Sequence, residues 1–120
     1  MMVEPWKLQV MIKVKAALRF SRADGEETLI QGEVLLKKLT GMLVVKPFSS
    51  EETFTFPFDG GWVWRRRNMK SSNCRARVIV IQGTDGSWLR LTFAVTDESD
   101  FGVVAINFFE RFAPEKLQRE

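Results

Sequence analysis

From Leu8 to Phe20 the apolar residues fall on one parity: Leu8, Val10, Ile12, Val14, Ala16, Leu18 and Phe20. Gln9, Lys13, Lys15 and Arg19 take the other, which is the alternation of a strand with one face in water. Asp24-Gly25 supplies turn chemistry before the stretch 28–39, whose apolar spacing fits a strand and in part a helix. Thr28, Ile30 and Val34 are β-branched, and Gly32 would cost a helix about 1 kcal/mol, so the stretch is read as a strand. Thr40-Gly41 breaks the chain before MLVVKPF, a short strand ended by Pro47. TFTFPF is another period-two run, and Asp59-Gly60-Gly61 is a turn from which WVWRRR departs. NMKSSN precedes the strand CRARVIVIQ, which Gly83-Thr84-Asp85-Gly86 joins to SWLRLTFAV.

The period then changes. Phe101, Val104, Ala105, Phe108, Phe109 and Phe112 recur at helical spacing, with Asp97 or Ser99 as cap and Pro114 as stop. The pattern predicts a mainly β fold: seven strands followed by one C-terminal amphipathic helix. Residues 1–120 read as a single domain, with 1–6 and 114–120 as frayed tails.

Two hairpin registers assign faces. A three-residue loop at Asp59-Gly60-Gly61 sets Phe58 opposite Trp62, Phe56 opposite Trp64 and Phe54 opposite Arg66. Those aromatics are expected to be core, with a stacking platform for bases or a peptide groove as the alternative, leaving Thr53, Thr55, Val63, Arg65 and Arg67 to water. A four-residue loop from Gly83 to Gly86 sets Gln82 opposite Ser87, Val80 opposite Leu89, Val78 opposite Leu91 and Ala76 opposite Phe93. The face away from the core would then carry Arg75, Arg77, Ile79 and Ile81 with Trp88 and Arg90, an aromatic rimmed by arginines. On the first strand Met11, Lys13, Lys15 and Arg19 also point outward.

This order of elements, from Lys7 to Ala113, resembles the pleckstrin-homology-like superfold. The resemblance implies a seven-stranded antiparallel roll or barrel of two near-orthogonal sheets, one open end plugged by the helix. Phe108 or Phe109 would take the core place that a helix tryptophan usually fills there. LIQGEVLLKKLTG also bears a faint likeness to the pleckstrin-homology domains of meiotic recombination accessory proteins. Such folds imply binding modules for phosphoinositides, peptides or proteins, and some members serve chromatin or recombination machinery. Lys13, Lys15, Arg19 and Arg22 do not reproduce the basic spacing of the phosphoinositide-binding subset, and Asp24, Glu26 and Glu27 crowd the loop.

Composition narrows the chemistry. With 45% hydrophobic and 28% charged residues in a chain of 120, the sequence is that of a folded globular domain. Histidine is absent, which removes the commonest general base and transition-metal ligand, so neither an enzyme nor a cofactor or metal site is expected. No apolar run is long enough to span a bilayer, MMVEPWKLQ lacks a signal-peptide core, and the lone Cys74 fits a reducing compartment. A cytoplasmic or nuclear protein is the expectation, with a membrane partner disfavoured.

Net charge is only +3, so what matters is where the charge sits. Between Trp62 and Arg77 the chain holds Arg65, Arg66, Arg67, Lys70, Arg75 and Arg77 with no acid among them. The expected function is a non-enzymatic protein-interaction module, scaffold or adaptor, docking an acidic or amphipathic protein segment. Trp88, Arg77, Arg90, Ile81 and Arg75 would hold the partner, and Arg65, Arg66, Arg67 and Lys70 would steer it in or contact nucleic acid. A nucleic-acid-binding or chromatin-associated domain is the alternative and phosphoinositide binding a weaker one. The sequence shows no zinc-finger, helix-turn-helix or RNA-recognition signature.

Overall fold

Each expected alternation becomes a strand because it lets one face meet a core. The computed structural model describes residues 10–71 and 74–118, apart from the side chains of residues 70, 71 and 74. The expected tail 1–6 and the first residues of the leading strand, Leu8 and Gln9, lie outside the described residues. Seven strands follow in order: β1 (Met11–Ser21), β2 (Glu27–Leu39), β3 (Met42–Pro47), β4 (Phe54–Pro57), β5 (Val63–Ser71), β6 (Cys74–Gln82) and β7 (Trp88–Ala94). One helix, α1 (Phe101–Phe112), and a 3-10 turn at Pro114–Lys116 complete the chain. The stretch 28–39 is strand.

All pairings are antiparallel and run β4-β3-β2-β1-β7-β6-β5 in one sheet. The resemblance implied two near-orthogonal sheets. β1 instead pairs with β2 along its whole length and with β7 through Ala17 to Ser21, which joins both halves. The sheet curls without closing. Phe20 on β1 meets Phe54 on β4 with ring centroids 4.7 Å apart, three strands away in sheet order.

The expected hairpin between residues 54–58 and 62–66 does not form. β4 takes β3 as its partner (Phe54↔Val45, Phe56↔Leu43) and β5 takes β6, so the Asp59-Gly61 turn spans the gap between the sheet's two edges. The aromatics still point inward. Trp62 and Trp64 are buried, Phe56 lies 5.4 Å from Trp62, and Trp62 Nε1 donates to Pro57 O at 2.6 Å. Burial of Val14, Ala16, Leu18 and Phe20 matches the parity read from β1.

Helix α1 closes one end of the roll. Asp100, rather than Asp97 or Ser99, is its cap, its carboxylate accepting from Val103 N at 3.2 Å. Phe109 is fully buried with its ring 5.3 Å from that of Trp64, so it fills the core place anticipated for Phe108 or Phe109. Nor is the segment after Ala113 frayed in its described part. Trp64 Nε1 donates to Ala113 O at 2.6 Å, Lys116 Nζ donates to Gly60 O, and Gln118 N donates to Trp64 O at 2.8 Å.

The register of β6 against β7 differs by one residue from the sequence expectation. Gly83 N donates to Ser87 O at 3.0 Å, so the loop is Thr84-Asp85-Gly86, with Gly86 at φ 89°. A three-residue loop closing on a left-handed glycine replaces the four-residue one. Asp85 secures it, its carboxylate accepting from Ser87 Oγ at 2.6 Å and Ser87 N at 3.0 Å. Those bonds, the hydroxyl's first, hold the Asp85 carboxyl below its ordinary pKa.

One residue reverses every face. Ile81 now opposes Leu89, Ile79 opposes Leu91 and Arg77 opposes Phe93, while Val80 opposes Arg90. Gly86→Ala would force an L-residue into the left-handed region and is expected to cost about 1–2 kcal/mol in chemical denaturation.

Candidate interaction surface

The outer face of the sheet can be assembled row by row from the strand registers. Arg65 opposes Val80, Val80 opposes Arg90, Arg90 opposes Arg19, and Arg19 opposes Leu29. The neighbouring rows are Arg67, Val78, Thr92 and Ala17 on one side and Val63, Gln82, Trp88 and Ser21 on the other. Four arginines from β5, β7 and β1 thus share one face with Trp88 and a valine strip. The basic outer faces merge because β1 pairs with β7.

Electrostatics makes this row unusual as a purely structural element. Arg90 and Arg19 sit directly opposite on adjacent strands, backbones about 5 Å apart, and like charges so placed are destabilising. Glu27 relieves part of this through an ion pair with Arg19 at 2.9 Å, but both side chains are about half exposed and such a pair contributes roughly 0–1 kcal/mol. Arg90 Nε donates only a long bond, 3.4 Å, to Thr92 Oγ1. Leu29, 60% exposed, ends the row on its apolar side.

The sequence-predicted site residues divide between the two faces. Trp88, Arg90, Arg65 and Arg67 belong to the outer face. Ile81 is 0% exposed in the core, because the three-residue loop turns it inward. Arg77 shares that inner parity at the helix end, where its Nε donates to both Asp100 carboxylate oxygens at 2.8 and 2.9 Å and its Nη1 donates to Asn68 Oδ1 at 3.2 Å. Gly102 makes room for it, since a Cβ there would come within 2.6 Å of Arg77 Cβ.

Arg77 therefore ties β6 to the start of α1. Arg66 does the same further along, pairing with Glu110. Arg75 is also of inner parity and sits 3.9 Å from the fully exposed Asp97 carboxylate. Lys70 opposes Arg75 in the register, and its side chain lies outside the described residues. What sequence reasoning left out of the site is Arg19, Val80 and Leu29; Val78 shares their face but is buried. Outward parity was legible for Arg19, but its contact with Arg90 depends on a pairing between strands some seventy residues apart.

A second feature lies at the end of the roll away from α1. Phe20, Phe54, Phe56, Ile81 and Leu89 line a cleft of about 300 Å³, with Trp88 at its rim. An Arg22–Glu52 ion pair at 2.6 Å and the Asp85 carboxylate stand at the cleft. Trp88 thus touches both features. Among the described residues no cluster of metal-ligating side chains occurs, and no helix is long and apolar enough to cross a membrane.

Comparison with protein-family models, curated proteins and solved structures gives no match, so the site is read from its own residues. The faces have opposite consequences for mutation. Arg77→Ala removes charged hydrogen bonds from a partly buried pair and is expected to lower stability by about 1.5–3 kcal/mol. Arg90→Gln relieves like-charge opposition and is expected to raise stability by about 0.2–1 kcal/mol at low salt, the gain fading at 1 M salt. Denaturant midpoints of both variants at the two salt concentrations check the assignment.

Proposed function

We propose that the chain is a non-enzymatic interaction module of pleckstrin-homology-like architecture that docks an acidic or amphipathic protein segment on the outer face of β5, β6, β7 and β1. The carrying observation is the row Arg65, Val80, Arg90 and Arg19, in which the direct opposition of Arg90 and Arg19 is unfavourable within the fold and the guanidinium groups have the chemistry to accept carboxylates. Trp88 in the neighbouring row, with Val80 and Leu29 in the arginine row itself, supplies apolar contact for an amphipathic partner. The order of seven antiparallel strands and a terminal helix is compatible with the superfold named above. An intracellular setting, reducing enough for the lone Cys74, goes with this reading.

Nucleic acid is the second reading. Its electrostatic requirement is met by the same arginines, but base stacking asks for open aromatic faces, and with Trp62 and Trp64 buried the half-buried Trp88 is the aromatic left on that face. Phosphoinositide binding has less support. The loops at the open end hold Arg22 paired with Glu52, beside the Asp85 carboxylate, which repels an anionic headgroup.

The test is a titration of the chain with an acidic amphipathic peptide and with a single-stranded oligonucleotide, each across a salt series. The peptide is expected to bind, and the charge reversal Arg19→Glu/Arg90→Glu to weaken it more than about tenfold while the melting temperature stays within a few degrees. Equal affinity of the reversed variant contradicts the assigned surface. Binding of the oligonucleotide alone, falling steeply with salt, transfers the function to nucleic acid.

A further inference from the structure

β5 is the last strand of the sheet, and its open side carries a backbone pattern that can be followed residue by residue. Along a strand, N–H and C=O groups point alternately to either side. Gln118 N donates to Trp64 O at 2.8 Å, so the groups of Trp64 face away from β6. The pairing of β5 with β6 runs unbroken from Val63 to Ser71, and the groups of Arg66 and Asn68 therefore face the open side too. Leu117 forms a parallel bridge with Trp64, and past that point no strand among the described residues pairs with this side.

An open edge rich in arginine ordinarily protects against edge-to-edge association. This edge differs because it already accepts an extended segment in register, the Leu117–Gln118 step. The side chains around it are sorted by face. Arg66 reaches Glu110 and Asn68 accepts from Arg77 on the inner side, and Arg65 and Arg67 lie on the outer side.

We propose that β5 takes up an extended partner segment as an eighth strand along Arg66 to Asn68, with acidic residues at alternate positions of that segment lying beside Arg65 and Arg67. The acidic character of the partner rests on the outer-face reading above; the strand pairing is additional to it. Alternate spacing follows from the pleat, since residues two apart share a face about 6.6–6.8 Å from one another, as Arg65 and Arg67 do. A second copy of this chain is a poor occupant. β5 against β5 would set arginines across from arginines on both faces. Backbone bonds would hold the segment and the carboxylates would select it.

The experiment uses the full chain, 15N-labelled, with synthetic peptides of three kinds at low salt. One is Thr-Glu-Val-Glu-Val-Glu-Thr, one is the permuted Thr-Val-Val-Glu-Glu-Glu-Thr, and the third is a set of alternating peptides N-methylated on one or the other parity. The alternating peptide is expected to slow hydrogen exchange at the Arg66 and Asn68 amides about tenfold or more, the permuted one far less, and N-methylation of one parity only to abolish the effect. Asn68→Pro removes a donor on the open side and the side-chain bond from Arg77 while leaving the backbone bonds to β6 in place, a change tolerated on edge strands, and is expected to weaken binding about tenfold. If that variant fails to fold, the N-methylated peptides carry the comparison.

Binding with unchanged exchange at Arg66 and Asn68, and shifts confined to residues around Arg19 and Arg90, overturns strand addition while leaving outer-face docking standing. Equal binding of alternating and permuted peptides overturns the spacing. Absence of binding by every peptide overturns both proposals.

Discussion

The three-residue loop Thr84-Asp85-Gly86 sets the side of the sheet on which every residue of β6 stands relative to β7. Gly86 in the left-handed region and the Asp85 carboxylate gripping Ser87 close that loop, and pairing proceeds from Gly83 opposite Ser87. Ile79 and Ile81 then enter the core, Arg77 arrives beneath the start of α1, and Val78 and Val80 are left between the arginines of β5 and β7. A four-residue loop would exchange those roles, bringing Arg77, Ile79 and Ile81 to the outer face and turning Val78 and Val80 inward.

A second junction gathers the elements that the loop does not control. Trp64 packs on Phe109, donates to Ala113 O and accepts from Gln118 N, so one residue binds the edge strand, the helix and the segment after it. Arg77–Asp100 and Arg66–Glu110 fasten α1 to the same half of the sheet. The result is a roll closed at the helix end and open at the other, with function assigned to its outer wall and its β5 edge. Arginines that look equivalent along the chain thus have different work: Arg66 and Arg77 hold the helix, and Arg65, Arg67, Arg90 and Arg19 form the surface.

How much of this was legible depended on the range of each interaction. Alternation in β1 was readable because one face meets water and the other a core, and α1 was readable because its period changes and Pro114 ends it. Trp62 and Trp64 were correctly read as core, although through a hairpin that does not exist, since burial of large aromatics outweighs the particular pairing. The β6 register was not legible. Gly83 through Ser87 offers loops of either three or four residues, and a single-residue difference moves Ile81 from surface to core. Neither was the contact of Arg19 with Arg90, because β1–β7 pairing leaves no local trace in sequence.

The most direct measurement is the set of cross-strand nuclear Overhauser contacts between β6, β7 and β1 in the labelled chain. Contacts of Val80 with Arg90, Ile81 with Leu89 and Arg19 with Arg90 are the result this account requires. Contacts of Val80 with Leu89 and of Val78 with Leu91 would contradict it, placing Arg77 and Ile81 back on the outer face and Val80 in the core.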